Sequence, residues 1–162
     1  MAIIDEIARR IGALEKWTRE HAAFEPTNST CQVYIKGAQA IATGVGQDVL
    51  FDGEEYDPDE LHSLVGNTDR ITIIVPGVYT LSAWGVWAVN DTGTERLRIT
   101  VNNVAVAGQS VNTSVQTIEL DISVSREHLL LTAGDIVRLE AYQTSGGNLN
   151  LTIATLGVTR ES

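Results

Sequence analysis

The stretch that decides the fold covers residues 70–89 and reads RITIIVPGVYTLSAWGVWAV. It is rich in β-branched and aromatic residues, and the pair Pro76-Gly77 interrupts it. Such a pair allows a chain to reverse, because proline fixes φ at about −65° and glycine accepts a positive φ. The stretch therefore predicts two strands, 71–75 and 78–89, joined as a hairpin by a tight turn.

The second of these strands alternates between two environments. The period is two residues, which indicates a strand with two different faces and not a helix. One face carries Tyr79, Leu81, Ala83, Gly85 and Trp87. Tyr79 and Leu81 therefore share one environment, which we assign to core or subunit packing. Trp84 and Trp87 fall on opposite faces, so we assign them to core packing or to a contact between subunits, with a carbohydrate platform as the alternative for one of them.

Strand-like runs recur along the rest of the chain beyond residue 26. Asn102-Asn103 separates two of them, and the tolerance of asparagine for positive φ suits a tight hairpin at that point. Further runs cover residues 116–124, 136–143 and 149–158. Roughly eight to ten short strands with no second helix predict an all-β sandwich or barrel.

The first 26 residues have a helical period instead. Apolar residues recur at alternating spacings of three and four, like the a and d positions of a coiled coil, and Trp17 lies beside them. The seam consists of Ile4, Ile7, Ile11 and Leu14. Isoleucine at both a and d positions favours a coiled coil of three helices. We therefore expect a trimerising or anchoring helix in residues 1–26 and a β domain in residues 27–162, with packing of the helix on its own domain as the alternative.

Composition excludes several function classes. The chain has 11 basic and 21 acidic residues, a net charge of −10 that repels nucleic acids. Its apolar runs are shorter than the roughly 18 residues that span a membrane, so membrane insertion is not expected. The N-terminus MAIIDEIARR has acidic residues where an export signal is basic, so we predict no export signal. The single cysteine, Cys31, excludes an intrachain disulfide.

One acidic segment is a candidate metal site. Its carboxylates are Asp52, Glu54, Asp57 and Asp59. Calcium binds six to eight oxygens, so several carboxylates in one loop are possible ligands. Their spacing lacks the order and the central glycine of an EF-hand, which favours a solvated loop. The three histidines have no metal-ligand spacing either, so calcium is the one cofactor that we retain as an alternative.

Motifs for catalysis are missing from the sequence. It contains no nucleophile elbow, zinc-protease motif, phosphate-binding loop or dinucleotide fingerprint. Cys31 is expected to be buried and inert. Asp91 and Glu95 flank a turn, and their spacing alone does not argue for glycosidase chemistry. We expect a protein that is not an enzyme, with a β-sandwich enzyme that acts on glycans as the less favoured alternative.

A series of short motifs along the chain resembles a known family. In order, the motifs are Cys-x-Val-Tyr (31–34), Val-Leu-Phe-Asp with Glu-x-Tyr-Asp (49–57), Asn-x-x-Arg-Ile-Thr-Ile (67–73), Pro-Gly-Val-Tyr (76–79), Leu-x-Ala-Gly-Asp-x-Val-x-Leu (131–139) and Gln-Thr-Ser-Gly-Gly-x-Leu (143–149). Together they resemble the C1q/TNF-like jelly roll, and most closely its version in virion proteins of tailed bacteriophages. The resemblance covers residues 31–159.

The resemblance implies a fold, an assembly and a role. It implies a jelly-roll sandwich that forms a homotrimer at the tip of a stalk, with Gly77 and Tyr79 in a core strand beside the trimer axis. We therefore expect a non-enzymatic homotrimer on the surface of a phage particle, assembled in the cytoplasm of the bacterial host. It would be either a capsid decoration or head spike, or a tail-tip or fibre adhesin.

The expected partners follow from the same resemblance. They are further copies of the chain, the major capsid or tail proteins, and a glycan or protein of the host surface. A bacterial C1q-like binding module for glycan or protein ligands is the alternative.

Overall fold

Two antiparallel sheets form the domain in the computed structural model, which describes residues 29–112 and 118–161. Sheet A contains β1 (Thr30–Tyr34), β2 (Gln39–Ile41), β4 (Gly53–Tyr56), β6 (Gly77–Trp87), β9 (Leu120–Leu131) and β11 (Leu149–Arg160). Sheet B contains β3 (Gln47–Asp48), β5 (Ile71–Thr72), β7 (Thr94–Val101), β8 (Val104–Asn112) and β10 (Ile136–Gln143). The predicted all-β class is confirmed.

Most neighbouring strands are distant in sequence. Sheet A has the order β4-β1-β11-β6-β9, with β2 also on β11, and sheet B has the order β3-β10-β7-β8, with β5 also on β10. The first and last described strands are neighbours, with Thr30 opposite Thr159. The amide of Arg160 donates to the carbonyl oxygen of Ser29 at 2.9 Å. The two ends of the described chain therefore lie side by side.

The hydrophobic core fills the space between the sheets. On β6, the side chains of Tyr79, Leu81 and Trp87 are fully buried, whereas Ser82 is exposed and Trp84 is half-buried. The strand thus has the two faces that its alternation predicts. Burial of each large apolar side chain contributes about 1.5–3 kcal/mol to the free energy of folding.

Gly85 allows sheet B to approach the backbone of β6. A Cβ atom at this position would lie 2.8 Å from Cδ1 of Leu97, which belongs to β7 in the opposite sheet, and 3.1 Å from Cδ1 of Leu151. A Cβ atom here would require the side chains of Leu97 and Leu151 to shift. Glycine at position 85 thus allows these side chains to pack directly on the backbone of β6.

The predicted hairpin around Pro76-Gly77 is wrong. Ile71 and Thr72 pair with β10 in sheet B, whereas Gly77–Trp87 pairs with β9 and β11 in sheet A. The amide of Ile73 donates to the carbonyl oxygen of Asp135 at 2.9 Å, so this segment is also bound to the turn before β10. Pro76-Gly77 therefore carries the chain from one sheet to the other.

The hairpin at Asn102-Asn103 is confirmed. Both asparagines have positive φ, 51° and 68°, and they connect β7 to β8 with Val101 opposite Val104. Two consecutive residues of positive φ form the tight turn that matches the twist of paired strands.

Several predictions lie outside the described residues. These are the helix with Ile4, Ile7, Ile11, Leu14 and Trp17, and the domain boundary at residue 26, which remain predictions. Within the described ranges, no helix has the length and apolar character needed to cross a membrane.

Replacement of Trp87 tests the packing of the core. We expect Trp87→Ala to lower the free energy of unfolding by about 3–5 kcal/mol, because it leaves a cavity between the sheets. Val89→Ala is the control, since Val89 is exposed, and we expect a change within about 0.5 kcal/mol. Urea denaturation followed by circular dichroism measures both values. Equal losses in the two variants would contradict this description of the core.

Candidate functional site

The face of sheet A that is turned away from the core lies open, and we call it the open face. Trp84 occupies its centre, opposite Ser123 of β9 and Thr155 of β11. The next row of the sheet brings Ser82 opposite Ser125 and Gly157. Small uncharged residues therefore surround one half-buried indole ring.

These residues line a shallow depression of about 310 Å³. The lining comprises Ser82, Ala83, Trp84, Ser123, Val124, Ser125 and Thr155. None of these side chains is an acid, a base or a thiol, so the depression contains no partner that would activate a serine hydroxyl as a nucleophile. Its chemistry is that of a packing or binding surface.

Charged residues of the open face lie at its two ends. Asp121 is opposite Val86 at one end. At the other end, Nδ1 of His128 lies 2.6 Å from Oε2 of Glu161, and the hydroxyl of Thr80 donates to Oε1 of Glu161. The bonds from Thr80 and His128 lower the pKa of Glu161, so its carboxylate stays charged. The centre between these ends is uncharged in a chain of net charge −10.

Two more side chains extend the uncharged area. Ile153 of β11 is 41 % exposed, and it follows a bulge in the pairing with β6. The ring of Tyr34 on β1 lies over Gly53 of β4, where an added Cβ would collide with it. The open face therefore combines exposed apolar groups with a lack of central charge, which is typical of the core of a protein interface.

The acidic segment is organised by internal hydrogen bonds. The carboxylate of Asp57 accepts from the amides of Leu61 and His62 at 2.9 and 2.8 Å. Oε1 of Glu54 lies 2.8 Å from Nδ1 of His62, and Oδ1 of Asp52 accepts from the amide of Lys36 at 2.6 Å. Asp57 and Glu54 thus both bond to His62, through its amide and its ring, whereas Asp52 bonds to Lys36.

The same segment provides no cluster of metal ligands. Oδ2 of Asp59 is buried and has no hydrogen-bond partner among the residues that the structure describes. In the ranges 29–112 and 118–161, His, Cys, Asp and Glu side chains form no group of three or more that could hold a metal ion. The geometry of the segment thus supports a structural role for its carboxylates.

Cys31 and His62 are buried beneath this segment. The side chain of His62 is fully buried, its ring contacts Phe51 edge-to-face, and its Nε2 lies 3.3 Å from the carbonyl oxygen of Thr68. Burial is the main cause that raises the pKa of the Cys31 thiol, and the nearby carboxylates of Asp57 and Glu54 raise it further. The thiolate is the reactive form of cysteine, so a raised pKa makes Cys31 a poor nucleophile.

Asp91 and Glu95 do not face each other across a cleft. Glu95 is buried, and its Oε1 accepts from Nδ2 of Asn90 at 2.6 Å. Asp91 is exposed. Glycoside hydrolysis requires two carboxyl groups on either side of a bound sugar, and this pair does not provide them.

Comparison with known proteins gives the fold a name. No protein-family model and no curated protein matches the sequence. Solved structures do match: Eiger TNF from S. frugiperda has a TM-score of 0.59 and 13 % identity, over 83 % of this chain and 93 % of that one. The globular domain of the zebrafish complement 1qA protein has a TM-score of 0.55 and 21 % identity, over 80 % and 94 %. Murine APRIL has a TM-score of 0.56 and 11 % identity, over 81 % and 98 %.

This chain has the C1q/TNF jelly-roll fold. The fold implied by the sequence motifs is thereby confirmed. At 11–21 % identity the likeness concerns fold alone. The phage origin, the virion location and the host ligand stay predictions.

Sequence reasoning missed the residues around Trp84. The signal was present in β9, where Ser123 and Ser125 alternate with the buried Ile122 and Val124. It was not interpretable without the pairing that sets these serines beside Trp84.

Replacement of Asp57 tests the role of the acidic segment. We expect Asp57→Ala to lower the free energy of unfolding by about 1–3 kcal/mol, because two amides lose a charged acceptor. The loss should be the same in calcium and in a chelator. The exposed Asp91→Ala is the control and should change little. A loss seen only in the presence of calcium would show that Asp57 binds the ion instead.

Proposed function

We propose that this protein is a non-enzymatic homotrimer whose subunits meet through the open face of sheet A. The observation that carries this proposal is the uncharged centre of that face, with Trp84 half-exposed within it, in a strongly acidic chain. The stoichiometry of three follows the resemblance to C1q/TNF-like proteins. The depression contains no catalytic group, which supports a structural or binding role.

Contact between copies would bury the indole ring of Trp84. Tryptophan is enriched among the residues that dominate binding energy, and contact would remove the exposed part of this ring from water. Serine, threonine and glycine around it allow the backbone of a partner to approach closely. The charged ends of the face, at Asp121 and Glu161, would form its polar rim.

The helix predicted in residues 1–26 would support the same assembly. A seam with isoleucine at both a and d positions favours a coiled coil of three helices. Short helices are marginal alone, so helix and β domain would stabilise one trimer together.

For the location, we propose the outside of a tailed bacteriophage particle. Support comes from the ordered sequence motifs in residues 31–159, which together resemble most closely the version of this fold in virion proteins. A capsid decoration would sit on a three-fold lattice point, and a tail-tip adhesin would present loops to the host. A C1q-like binding module of a bacterium is the alternative.

Sedimentation equilibrium tests the trimer. We expect three times the chain mass of 17.5 kDa at micromolar concentration. Trp84→Glu should weaken association at least tenfold, because it buries a charge in the interface. Val104→Glu is the matched control, since Val104 is 67 % exposed on β8 of sheet B. A monomeric parent protein, or equal weakening by both variants, would contradict the proposal.

Replacement of the seam tests the contribution of the helix. We expect the double variant Ile7→Asn and Ile11→Asn to weaken assembly while the β domain keeps its circular dichroism spectrum, because these residues precede the domain in the chain. Loss of the β signal would show that the helix packs on its own domain.

Immunogold labelling of intact particles tests the location. Antibody bound to the shell supports decoration, and antibody at the tail tip supports the adhesin. Export of the protein from a bacterial cell, with no label on particles, would favour the bacterial module.

A further inference from the structure

A cluster of arginines lies on the face of sheet B that is turned away from the core. We use the name arginine face for the group formed by Arg96 and Arg98 of β7 and Glu140 and Tyr142 of β10. The register places Arg96 opposite Tyr142, and Arg98 opposite Glu140. This face is on the other side of the sandwich from the open face.

Glu140 holds the two guanidinium groups side by side. One nitrogen of Arg96 lies 3.1 Å from its Oε1, and one nitrogen of Arg98 lies 2.7 Å from its Oε2. The guanidinium of Arg96 also stacks at 4.5 Å from the centre of the Tyr142 ring. Each arginine thus has a fixed orientation, which lowers the entropy that a ligand must remove on binding.

Glycines keep the surface beside these groups low. An added Cβ at Gly46 would lie 2.7 Å from the carboxyl carbon of Glu140, so the carboxylate rests against the backbone there. Gly108 of β8 is opposite Arg98, and Ser110 is opposite Arg96. On the side of β8, the two arginines therefore border a flat area. Gly108 has no side chain there, and Ser110 contributes only a hydroxyl group.

The charges of a neighbouring cluster balance one another. Arg138 is buried and lies 2.6 Å from Asp69 and 3.5 Å from Asp48. Arg70 also pairs with Asp69 at 2.9 Å. Burial alone would raise the pKa of Asp69, but hydrogen bonds from Arg70 and Arg138 lower it, so the carboxylate stays charged. Two cations face two anions in this cluster.

The arginine face itself is not balanced. Two guanidinium groups share the carboxylate of Glu140. Asp48 lies opposite Glu140 but pairs with Arg138 of the neighbouring cluster, so the two clusters together have one positive charge in excess. The side chains of Arg96 and Arg98 are 30 % and 35 % exposed. Within the described residues, Nε of each is buried and has no hydrogen-bond partner. The exposed part of each guanidinium group therefore carries the available charge, whereas Nε is not accessible to a ligand.

We propose that the arginine face binds an isolated carboxylate or sulfate group carried by a saccharide. Paired N–H donors of guanidinium groups match two oxygens of a planar carboxylate or of a tetrahedral sulfate. A dense polyanion is disfavoured, because the chain carries a net charge of −10 and the excess here is a single positive charge.

The surroundings favour a saccharide over an acidic peptide. Peptide recognition relies on apolar anchors in pockets, whereas Arg96 covers one side of the Tyr142 ring and the adjoining positions are Gly108 and Ser110. Hydroxyl groups offer hydrogen bonds to a sugar. The inference goes beyond the proposed trimer and does not depend on it, because the open face belongs to the other sheet.

Calorimetric titration of the full chain tests this inference. The probes are a uronic-acid oligosaccharide, a sulfated neutral oligosaccharide, the uncharged form of the same oligosaccharide and an acidic peptide. We expect binding of the carboxylate or the sulfate probe, or both, at low ionic strength, and at least tenfold weaker binding of the uncharged sugar. The better of the two charged probes identifies the preferred anion.

Three variants connect binding to the arginine face. The double variant R96Q/R98Q should lose at least tenfold in affinity. K36Q/R126Q is the matched control, because it removes two positive charges from exposed residues elsewhere, and its affinity should stay within threefold. E140Q removes the competing carboxylate, so it should bind the charged probe at least threefold more tightly.

Several results would overturn the inference. They are absence of binding to both charged sugars at millimolar concentration, equal losses in the two double variants, no gain in E140Q, or tighter binding of the acidic peptide. Sedimentation equilibrium of the same variants separates saccharide binding from assembly, since we expect each variant to form an assembly of the same mass as the parent protein. Circular dichroism confirms that each variant is folded.

Discussion

The packing of β6 between its two neighbours and across the core is the constraint on which the rest of the fold depends. Its inner face carries Tyr79, Leu81 and Trp87 into the space between the sheets. Gly85 lets Leu97 of the opposite sheet approach the backbone of the strand. Because side chains alternate along a strand, the same eleven residues also present Trp84 on the open face. Core and candidate interface are thus two sides of one strand, and a shift in register would exchange them.

The sequence predicted those features of the fold that depend on a short segment alone. The alternation of β6 predicted which side chains enter the core, and Asn102-Asn103 predicted a hairpin because a tight turn depends on the residues within it. The hairpin at Pro76-Gly77 failed because a turn signal does not specify which strand will pair with the next. Ile71 pairs instead with Val137, which lies 66 positions further along the chain.

Both surfaces depend on such distant pairing. Arg96 and Arg98 alternate in the sequence, but the carboxylate that they share comes from Glu140 on another strand. Likewise, Trp84 gains its serine neighbours from β9. The fold family was recognisable from ordered motifs, whereas the two faces required the register of the sheets. An acidic chain has thereby kept the centre of one face uncharged and placed a small positive excess on the other.

The adjacency of the chain ends has a consequence for how the domain can be attached. Ser29 and Arg160 are joined by a hydrogen bond, so the polypeptide enters and leaves at the same edge of the sandwich. The chain before residue 29 and the chain after residue 161 are therefore joined to the described domain at one pole. The domain formed by the described residues can thus be inserted within a loop of another protein with little separation of the two junctions.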